Sequence, residues 1–383
     1  MLHHLSFFSL QRLLLRSEYE YFGNITSDLS FINHYVKEAP NGRMTPLAGF
    51  NPNYKYIVDN SYFYDLRTLA SGGAINLEYV SSDLRCVELS LHKSTFFNCS
   101  GYHGGAVYFY SPSKGNFSIY SICVSKCFTT SASYLGMFMY AYMYSEYNSI
   151  CDQMSLSECI MSDGSNRNCS IYLNFGKVYF FRSNISKNTL YRQASGIEFF
   201  NIIEHNLTLC TFSHNSAQVA VLSFFGNTTI QYCNIVYNNH TISTTGVIMA
   251  SQGTTTLSYN VIFGNYRTPF YSITPGILNV LKNSITHNNI YGISRGPSVV
   301  LSLDNSLLYV NFPSNTEYSY GLTNTYSLVH FNSYHCPTME SIEGLDLTPC
   351  QTMPPECPTI QHQSSLDFIS VITLLQTLFI IQI

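Results

Sequence analysis

The stretch Ser94-Thr95-Phe96-Phe97-Asn98-Cys99, followed by Gly104-Gly105-Ala106-Val107, is the fullest copy of a pattern that runs through most of this chain. In each copy an apolar anchor, here Phe96, lies three residues before an Asn or Cys, and a second apolar residue precedes the anchor by five positions. The anchors are Phe96, Val124, Leu156, Ile185, Phe212, Ile235, Ile262, Ile285 and Leu308, and the residues before them are Leu91, Ile119, Cys151, Phe180, Leu207, Ile230, Leu257, Val280 and Leu303. From Ile185 the steps are 27, 23, 27, 23 and 23 residues, a spacing typical of a repeat protein.

The repeats are predicted to consist of strands. Segments that lead to the anchors, such as Asn116 to Ile122, alternate with period two, are rich in β-branched and aromatic residues, and are too short for helices. The two apolar positions are an odd number of residues apart, so both face inward only if the chain bends between them, at residues such as Ser94 or Cys210. We therefore predict an all-β chain, a single-stranded right-handed parallel β-helix (a pectate-lyase-like solenoid) of about ten coils. The hand rests on the general preference for right-handed crossovers.

Two kinds of residue are predicted to form the corners of each coil. The Asn three residues after an anchor suits a corner that needs a positive φ, and stacked Asn side chains can hydrogen-bond from coil to coil. Glycines such as Gly72-Gly73 and Gly104-Gly105 precede further apolar strands and indicate the next corner.

Composition and repeat phase divide the chain into five predicted regions. These are a degenerate signal segment (1–16), an N-terminal cap (17–56), the β-helix repeats (57–335), a Pro- and Cys-containing stalk (336–366) and a hydrophobic C-terminal tail (367–383). Phe368 to Ile383 contains no charge but is shorter than the ~20 residues that cross a bilayer. The tail is therefore interpreted either as a truncated transmembrane helix or as a lipid-anchor signal.

The paired motifs Gly-Gly-Ala-[Ile/Val] and Phe-x-x-[Asn/Cys] resemble the repeats of the polymorphic outer-membrane protein family. Gly72 to Ile75 and Gly104 to Val107 match the first motif, and Phe212-Ser213-His214-Asn215 is a strict copy of the second. The resemblance spans about two thirds of the chain. No candidate for the autotransporter barrel of the bacterial members is present, so the chain looks more like the members from parasitic protists. The resemblance implies a surface β-helix in adhesion or antigenic display, and no catalytic residues.

The composition fits an exterior location. Charged residues are only 10% of the chain and the net charge is −4, so the polar surface consists mainly of Asn, Ser, Thr and Tyr. Sequons predict glycosylation at Asn24, Asn116, Asn168, Asn184, Asn206, Asn227 and Asn239. A further sequon at Asn98 is the weakest acceptor because it lies at a corner beside the core. We expect a protein at the cell surface or outside the cell, anchored in the membrane at its C-terminus.

Twelve cysteines are many for a reducing compartment, and no Cys-x-x-Cys pair indicates zinc. Equivalent residues of stacked coils lie about 4.8 Å apart, which a disulfide tolerates. Disulfides and buried free thiols are equally consistent with the pattern inside the repeats, and bridges are favoured in the stalk. The disulfide candidates are Cys99, Cys127, Cys210, Cys233, Cys336, Cys350 and Cys357.

No catalytic residue, cofactor or metal is predicted. Parallel β-helix enzymes need clustered carboxylates, and the acids between residues 180 and 312 are only Glu198, Glu204 and Asp304. His214 and His287 share a repeat position but lie about three coils apart, roughly 14 Å. The Tyr-rich run from Tyr134 to Tyr147 is interpreted as a strand with an aromatic row on its outer side. If the row is open it is a contact patch, but burial under the adjoining long loop is the default expectation. The dispersed basic residues argue against nucleic-acid binding.

Two functional hypotheses remain. The first is a non-enzymatic cell-surface or secreted protein in adhesion or antigenic display, with a host or matrix protein or a glycan as partner and a membrane contact through its tail. The alternative is a secreted carbohydrate-binding or carbohydrate-active β-helix. A Tyr-lined groove with two or more carboxylates would favour the alternative, whereas a flat Asn/Ser/Thr face would favour the first.

Overall fold

The computed structural model describes residues 29–32, 35–37, 54–78, 86–112, 114–130, 135–144, 147–160, 169–190, 194–241, 245–267, 269–286, 288, 294–295, 298–301 and 306–308. These residues form strands and connections without a helix. The strands are β1 (Leu29–Ile32), β2 (Tyr35–Lys37), β3 (Tyr54–Asp59), β4 (Tyr62–Tyr64), β5 (Ile75–Glu78), β6 (Val87–His92), β7 (Thr95–Phe97), β8 (Ser100–Gly101), β9 (Val107–Ser111), β10 (Gly115–Tyr120), β11 (Cys123–Ser125), β12 (Phe128–Thr129), β13 (Met139–Met143), β14 (Asn148–Asp152), β15 (Ser155–Ser157), β16 (Ile171–Asn174), β17 (Lys177–Phe181), β18 (Asn184–Ser186), β19 (Thr189–Leu190), β20 (Ala194–Thr208), β21 (Thr211–Ser213), β22 (Ser216–Ala217), β23 (Ala220–Gln231), β24 (Asn234–Val236), β25 (Asn239–His240), β26 (Ile248–Gln252), β27 (Thr254–Ser258), β28 (Val261–Phe263), β29 (Phe270–Ser272), β30 (Ile277–Leu281), β31 (Ser284–Thr286), β32 (Ser294–Arg295), β33 (Val299–Leu301) and β34 (Ser306–Leu308).

One repeat contains three main strands, as β6, β7 and β9 show; we call these the first, second and third strand of a repeat. Each pairs in parallel with the equivalent strand of the next repeat, for example β6 with β10, β7 with β11 and β9 with β13. The second strands form an 11-stranded sheet. First and third strands share an 18-stranded sheet, because β20 and β23 run unbroken from a third strand into the next first strand. This stacking of parallel strands is compatible with a β-helix or solenoid.

The two predicted apolar columns are confirmed. Leu91, Ile119, Cys151, Phe180, Leu207, Ile230, Leu257 and Val280 occupy equivalent register positions in the first strands. The anchors from Phe96 to Ile285 do the same in the second strands. Both columns are buried. Since apolar surface removed from water contributes ~25 cal/mol per Å², these columns stabilise every repeat.

The repeat pattern departs from its predicted boundaries at both ends. β1 and β2 pair in register with β3 and β4, so the parallel stacking extends to residues 29–32 and 35–37, within the region predicted as an N-terminal cap. At the other end Ile285 pairs with Leu307 and not with the predicted Leu308, and Val280 pairs with Leu301 and not with Leu303. The chain divides into two units, 1–336 and 337–383, and the described residues all belong to the first. The predicted stalk beyond Cys336 and the tail lie outside the described residues.

The bends between strands require a left-handed backbone at two fixed positions. One is three residues before the anchor, where φ is positive at Asn60, Lys93, Ser121, Gln153, Arg182, Leu209, Tyr232, Tyr259 and Lys282. The other is two residues after it, at Asp65, Asn98, Lys126, Glu158, Lys187, His214, Tyr237 and Gly264. The prediction that the Asn three residues after the anchor has the positive φ is therefore wrong by one residue. Its side chain turns inward instead.

The inward Asn side chains form a buried ladder, as predicted. The Asn215 backbone N–H donates to Oδ1 of Asn238 at 3.0 Å, and Nδ2 of Asn238 donates to the Phe212 carbonyl at 2.8 Å and to Oδ1 of Asn265 at 3.1 Å. The same contacts recur from Asn188 to Asn288. The ladder satisfies backbone groups that the corner leaves without a strand partner, which is why an amide is needed there.

The corner at Gly104-Gly105 requires glycine because the neighbouring backbone leaves no room for a Cβ atom. Gly104 has a φ of +57°, and a Cβ on it would lie 1.9 Å from the Val107 carbonyl oxygen. A Cβ on Gly105 would lie 2.1 Å from the Met137 carbonyl oxygen of the next repeat. The Gly-Gly pair therefore lets the chain enter β9 in contact with the next repeat.

Candidate functional site

The third strands place a row of tyrosines on the outside of the stack. In β9 and β13 residues alternate between buried and half-buried, so Tyr108, Tyr110, Tyr140 and Tyr142 point outward. The register then aligns Tyr108 with Tyr140 and Tyr172 in one column, and Tyr110 with Tyr142 in the next. We call the surface formed by Tyr108, Tyr110, Tyr140, Tyr142, Tyr172 and Phe175 the aromatic face. The predicted outward aromatic row between Tyr134 and Tyr147 is one strand of it.

The rings of the aromatic face stack on one another along the repeat axis. The Tyr140 ring centroid lies 5.3 Å from that of Tyr108 and 5.2 Å from that of Tyr172, with interplanar angles of 18° and 14°. In the second column Tyr110 and Tyr142 are 5.0 Å apart, and Phe175 meets Tyr142 edge-on. Both faces of Tyr140 are thus covered by other rings. At Tyr140 the surface therefore presents a ring edge and a hydroxyl group.

Neighbouring apolar residues partly bury this face. Cys169, Tyr172 and Ala194 form a small buried cluster against which Leu135 and Tyr140 pack. Burial raises the pKa of Tyr140 to about 12, and it also raises the pKa of Tyr108 and, less, that of Tyr142. These phenols therefore stay protonated at physiological pH and can donate hydrogen bonds.

His103 borders the aromatic face. Its ring centroid lies 5.1 Å from that of Tyr140, and its Nδ1 accepts a hydrogen bond from the Leu135 N–H at 3.2 Å. Burial lowers the pKa of His103, so the ring is neutral at pH 7. A neutral histidine adds a further polar edge without adding charge.

Two carboxylates lie in the third strands that the structure describes, but they are too far apart to act together. Glu78 is exposed at the end of β5 and pairs in register with Tyr110, whereas Glu198 is buried in β20 and pairs with Tyr172. Their strands are four repeats apart, which is about 19 Å at the usual strand spacing. Glycoside hydrolysis needs carboxylates about 5 to 9.5 Å apart. Glu78 and Glu198 do not form such a pair.

The sequons of the described residues lie outside the third strands. One outward register column of the first strands contains Ser118, Ile150, Tyr179, Asn206, Thr229 and Thr256, and most of its members are polar. Asn116, Asn206 and Asn227 lie in first strands, Asn184 in a second strand and Asn239 in the short strand β25. The third-strand segments of the described repeats contain no sequon. The aromatic face is therefore the side of the stack whose strands offer no glycan acceptor.

The described sequons differ in accessibility. Asn227 is exposed, while Asn116, Asn184, Asn206 and Asn239 are half-buried. Thr208 Oγ1 donates to Oδ1 of Asn206 at 2.7 Å, which ties the hydroxyl of this sequon to its amide. The Asn98 side-chain amide donates a hydrogen bond to Asp65, which agrees with the expectation that Asn98 is the weakest acceptor of a glycan. Asn24 and Asn168 lie outside the described residues.

Of the two alternatives left open for the cysteines within the repeats, the structure has the free thiols. Cys99, Cys127, Cys210 and Cys233 are buried free thiols, and burial raises the pKa of Cys99 and Cys233. The physical reason is that cysteine takes the place of an inward amide. Cys210 and Cys233 lie two residues before their anchors, where Asn260 and Asn283 form a second buried amide row in the following repeats. Cys233 Sγ accepts from the Cys210 N–H at 3.4 Å and donates to the Leu207 carbonyl at 3.5 Å.

Cys99 and Cys127 likewise donate to the anchor carbonyls of the preceding repeats. Cys336, Cys350 and Cys357 lie outside the described residues. Cys123, which the pattern did not single out, is disulfide-bonded.

Histidines provide no metal site among the described residues, where no group of three or more His, Cys, Asp or Glu side chains converges. His214 is an exposed corner residue stacked on Tyr237, and His287 lies outside the described residues. His205 is instead buried in the interior. Its Nδ1 lies 3.2 Å from the Asn227 carbonyl and 3.1 Å from Thr228 Oγ1, and burial lowers its pKa to about 3.

Comparison with family models, curated proteins and solved structures finds no match to this chain. Among the residues that the structure describes, no helix is long and apolar enough to cross a membrane.

Proposed function

We propose that this chain is a non-enzymatic cell-surface or secreted protein that contributes to adhesion or antigenic display, as its resemblance to the polymorphic outer-membrane protein repeats implies. In this proposal the stacked repeats form a right-handed parallel β-helix of about ten coils. The eleven-stranded sheet of second strands supports a number close to that. The membrane contact is made by the C-terminal tail.

The observation that carries the proposal is the division of the surface. The first and second strands bear sequons, whereas the described third strands present stacked tyrosines and no sequon. In this proposal, glycans at the sequons of the first and second strands leave the aromatic face accessible to a partner. Tyrosines are enriched in binding surfaces because a rigid ring gives contact area at small cost in side-chain entropy.

The geometry favours a protein partner over a glycan. Sugar rings are held by stacking on an open aromatic ring face, and the faces of Tyr140 are covered by Tyr108 and Tyr172. Edges and hydroxyls suit a protein surface, which supplies apolar contacts and hydrogen-bond acceptors together. The wide separation of Glu78 and Glu198 also weakens the alternative of a carbohydrate-active enzyme.

The test compares a double variant of the aromatic face with a tyrosine on a polar face. Beads coated with the protein are bound to cultured animal cells before and after protease or glycosidase treatment of the cells. Tyr140→Ser combined with Tyr142→Ser should reduce bead binding at least tenfold. Tyr179→Ser, which alters an outward tyrosine of a first strand beside Asn206, should bind as the unaltered chain does.

A cooperative thermal unfolding transition well above the assay temperature in both variants shows that the fold is intact, although loss of the Tyr140 stacking contacts lowers the midpoint of the double variant. Protease treatment of the cells should abolish bead binding, whereas glycosidase treatment should leave bead binding unchanged. Equal binding by all three proteins would overturn the assignment of the aromatic face. Loss of binding after glycosidase treatment alone would favour the carbohydrate-binding alternative.

A further inference from the structure

A second group of tyrosines lies at a corner of the stack, away from the aromatic face. Tyr232, Tyr259 and Lys282 occupy the same bend position, three residues before successive anchors. Their backbone φ values are 54°, 59° and 52°, so each side chain projects outward from the bend. Tyr232 and Tyr259 are each 44% exposed. Solvent and soluble reagents therefore reach both phenols.

The two rings are held against each other. Their centroids are 5.4 Å apart and their planes are inclined by 13°. The residues belong to adjacent repeats, whose strands lie about 4.8 Å apart, so the stacking is built into the register. Lys282 continues the stack, with Nζ 3.4 Å from the Tyr259 hydroxyl and 5.6 Å from its ring centroid.

We propose that Tyr232 and Tyr259 form an oxidative cross-linking site, at which a haem peroxidase and hydrogen peroxide convert the pair into dityrosine. Each phenol loses one electron and one proton, and the two phenoxyl radicals join through carbons ortho to the hydroxyls. Two ortho C–H bonds are lost, one C–C bond forms, and the hydroxyls are restored when the rings rearomatise. The two electrons and two protons reduce one hydrogen peroxide to two waters.

Exposure and pairing together select this site. Tyrosine rings also contact one another on the aromatic face, but those rings are half-buried or buried. Burial raises the pKa of Tyr140 and Tyr108. A desolvated phenol loses its proton less readily and meets oxidant less often. Tyr232 and Tyr259 combine ring contact with open access.

The other corner of the same repeats offers a natural control. Tyr237 is 50% exposed and also sits at a bend with positive φ. Its stacking partners are His214 at 5.2 Å and Phe263 at 5.1 Å. Because neither neighbour is a phenol, oxidation of Tyr237 cannot produce a dityrosine with them.

The cross-link would join residues 27 positions apart in the chain and one repeat apart in the stack. It would close one edge of the stack covalently and oppose separation of neighbouring repeats. A displayed protein would gain resistance to unfolding under force or protease attack. This inference does not depend on the aromatic face or on its partner.

The experiment treats the full folded chain, at low concentration, with a haem peroxidase and an equimolar amount of hydrogen peroxide. Dityrosine fluorescence is measured, and peptide mass spectrometry maps the links. The expected main product is a monomer lacking two hydrogen atoms, with the Tyr232 peptide joined to the Tyr259 peptide. Because the chain contains 31 tyrosines, one predominant link between Tyr232 and Tyr259 would be a specific result.

Phenylalanine variants separate the chemistry from the packing, since they keep the ring stack. Tyr232→Phe and Tyr259→Phe should each reduce this cross-link more than tenfold, and Tyr237→Phe should leave its yield unchanged. Unfolding in urea before oxidation should remove the preference for this pair. A folded chain that yields no Tyr232–Tyr259 link, or that links all exposed tyrosines equally, would overturn the proposal.

Discussion

Replacing Asn238 by Ala probes the buried amide ladder directly. The side chain is fully buried and makes four ladder contacts, accepting from the N–H and Nδ2 of Asn215 and donating to the Phe212 carbonyl and to Asn265. In the alanine variant the Asn215 N–H loses its acceptor and the Phe212 carbonyl loses this donor. An unsatisfied buried group costs about 1 to 3 kcal/mol, so we expect a loss of about 2 to 4 kcal/mol in the free energy of unfolding.

Cysteine at the same position should cost less than half as much as alanine. Cys233 and Cys127 show that a thiol in a ladder can donate to the carbonyl of the preceding repeat. The assay is urea unfolding followed by circular dichroism, with the slope of the transition checked in every variant. Asn279→Ala is the control, because Asn279 lies on the outer side of a first strand and should change stability by no more than about 0.5 kcal/mol.

If Asn238→Ala and Asn279→Ala destabilised the chain equally, the ladder would not have the assigned role. The same conclusion would follow if Cys were no better than Ala at position 238. Either result would mean that the corner backbone groups find other partners.

Three further outcomes are expected. Ile262→Asp should unfold the neighbouring repeats, since an unpaired charge in this core costs several kcal/mol, whereas Thr256→Asp on the outer side should be tolerated; protease resistance distinguishes them. The pKa of His205 is about 3 in the folded state and near 6.5 unfolded, so its contribution to stability is complete above pH 6.5 and is lost as pH falls toward 3. Unfolding midpoints at pH 7, 5.5 and 4 should therefore fall more steeply for the unaltered chain than for His205→Gln, and equal slopes would contradict this. If the chain is glycosylated, Asn227→Gln should remove one glycosidase-sensitive increment of gel mobility, because Asn227 is exposed.

The apolar columns were predictable because their spacing is regular and their residue types are restricted. The same spacing is present at Phe31 and Val36, but no Asn or Cys follows Val36 by three residues, so this repeat escaped the pattern. At the other end the adjacent leucines Leu307 and Leu308 both fit an anchor. Only pairing between repeats distinguishes them.

The corners were less predictable from local sequence. The position with positive φ after the anchor holds Lys126, Glu158 and Tyr237 as readily as Asn98, so stacking of neighbouring repeats overrides local preference there. The aromatic face had a usable signal. Tyrosines alternate in two third strands, Tyr108 with Tyr110 and Tyr140 with Tyr142. Their mutual stacking depends on register, which sequence spacing alone does not provide.

We propose that this protein is displayed outside the cell with its aromatic face accessible to a partner. The most direct test labels unpermeabilised cells that express the intact natural protein with an epitope tag inserted in a polar loop. The account predicts labelling at the surface equal to that of permeabilised cells, and loss of the tag after external protease treatment. Labelling that appears only after permeabilisation would contradict it, and the chain would then be an intracellular β-solenoid scaffold.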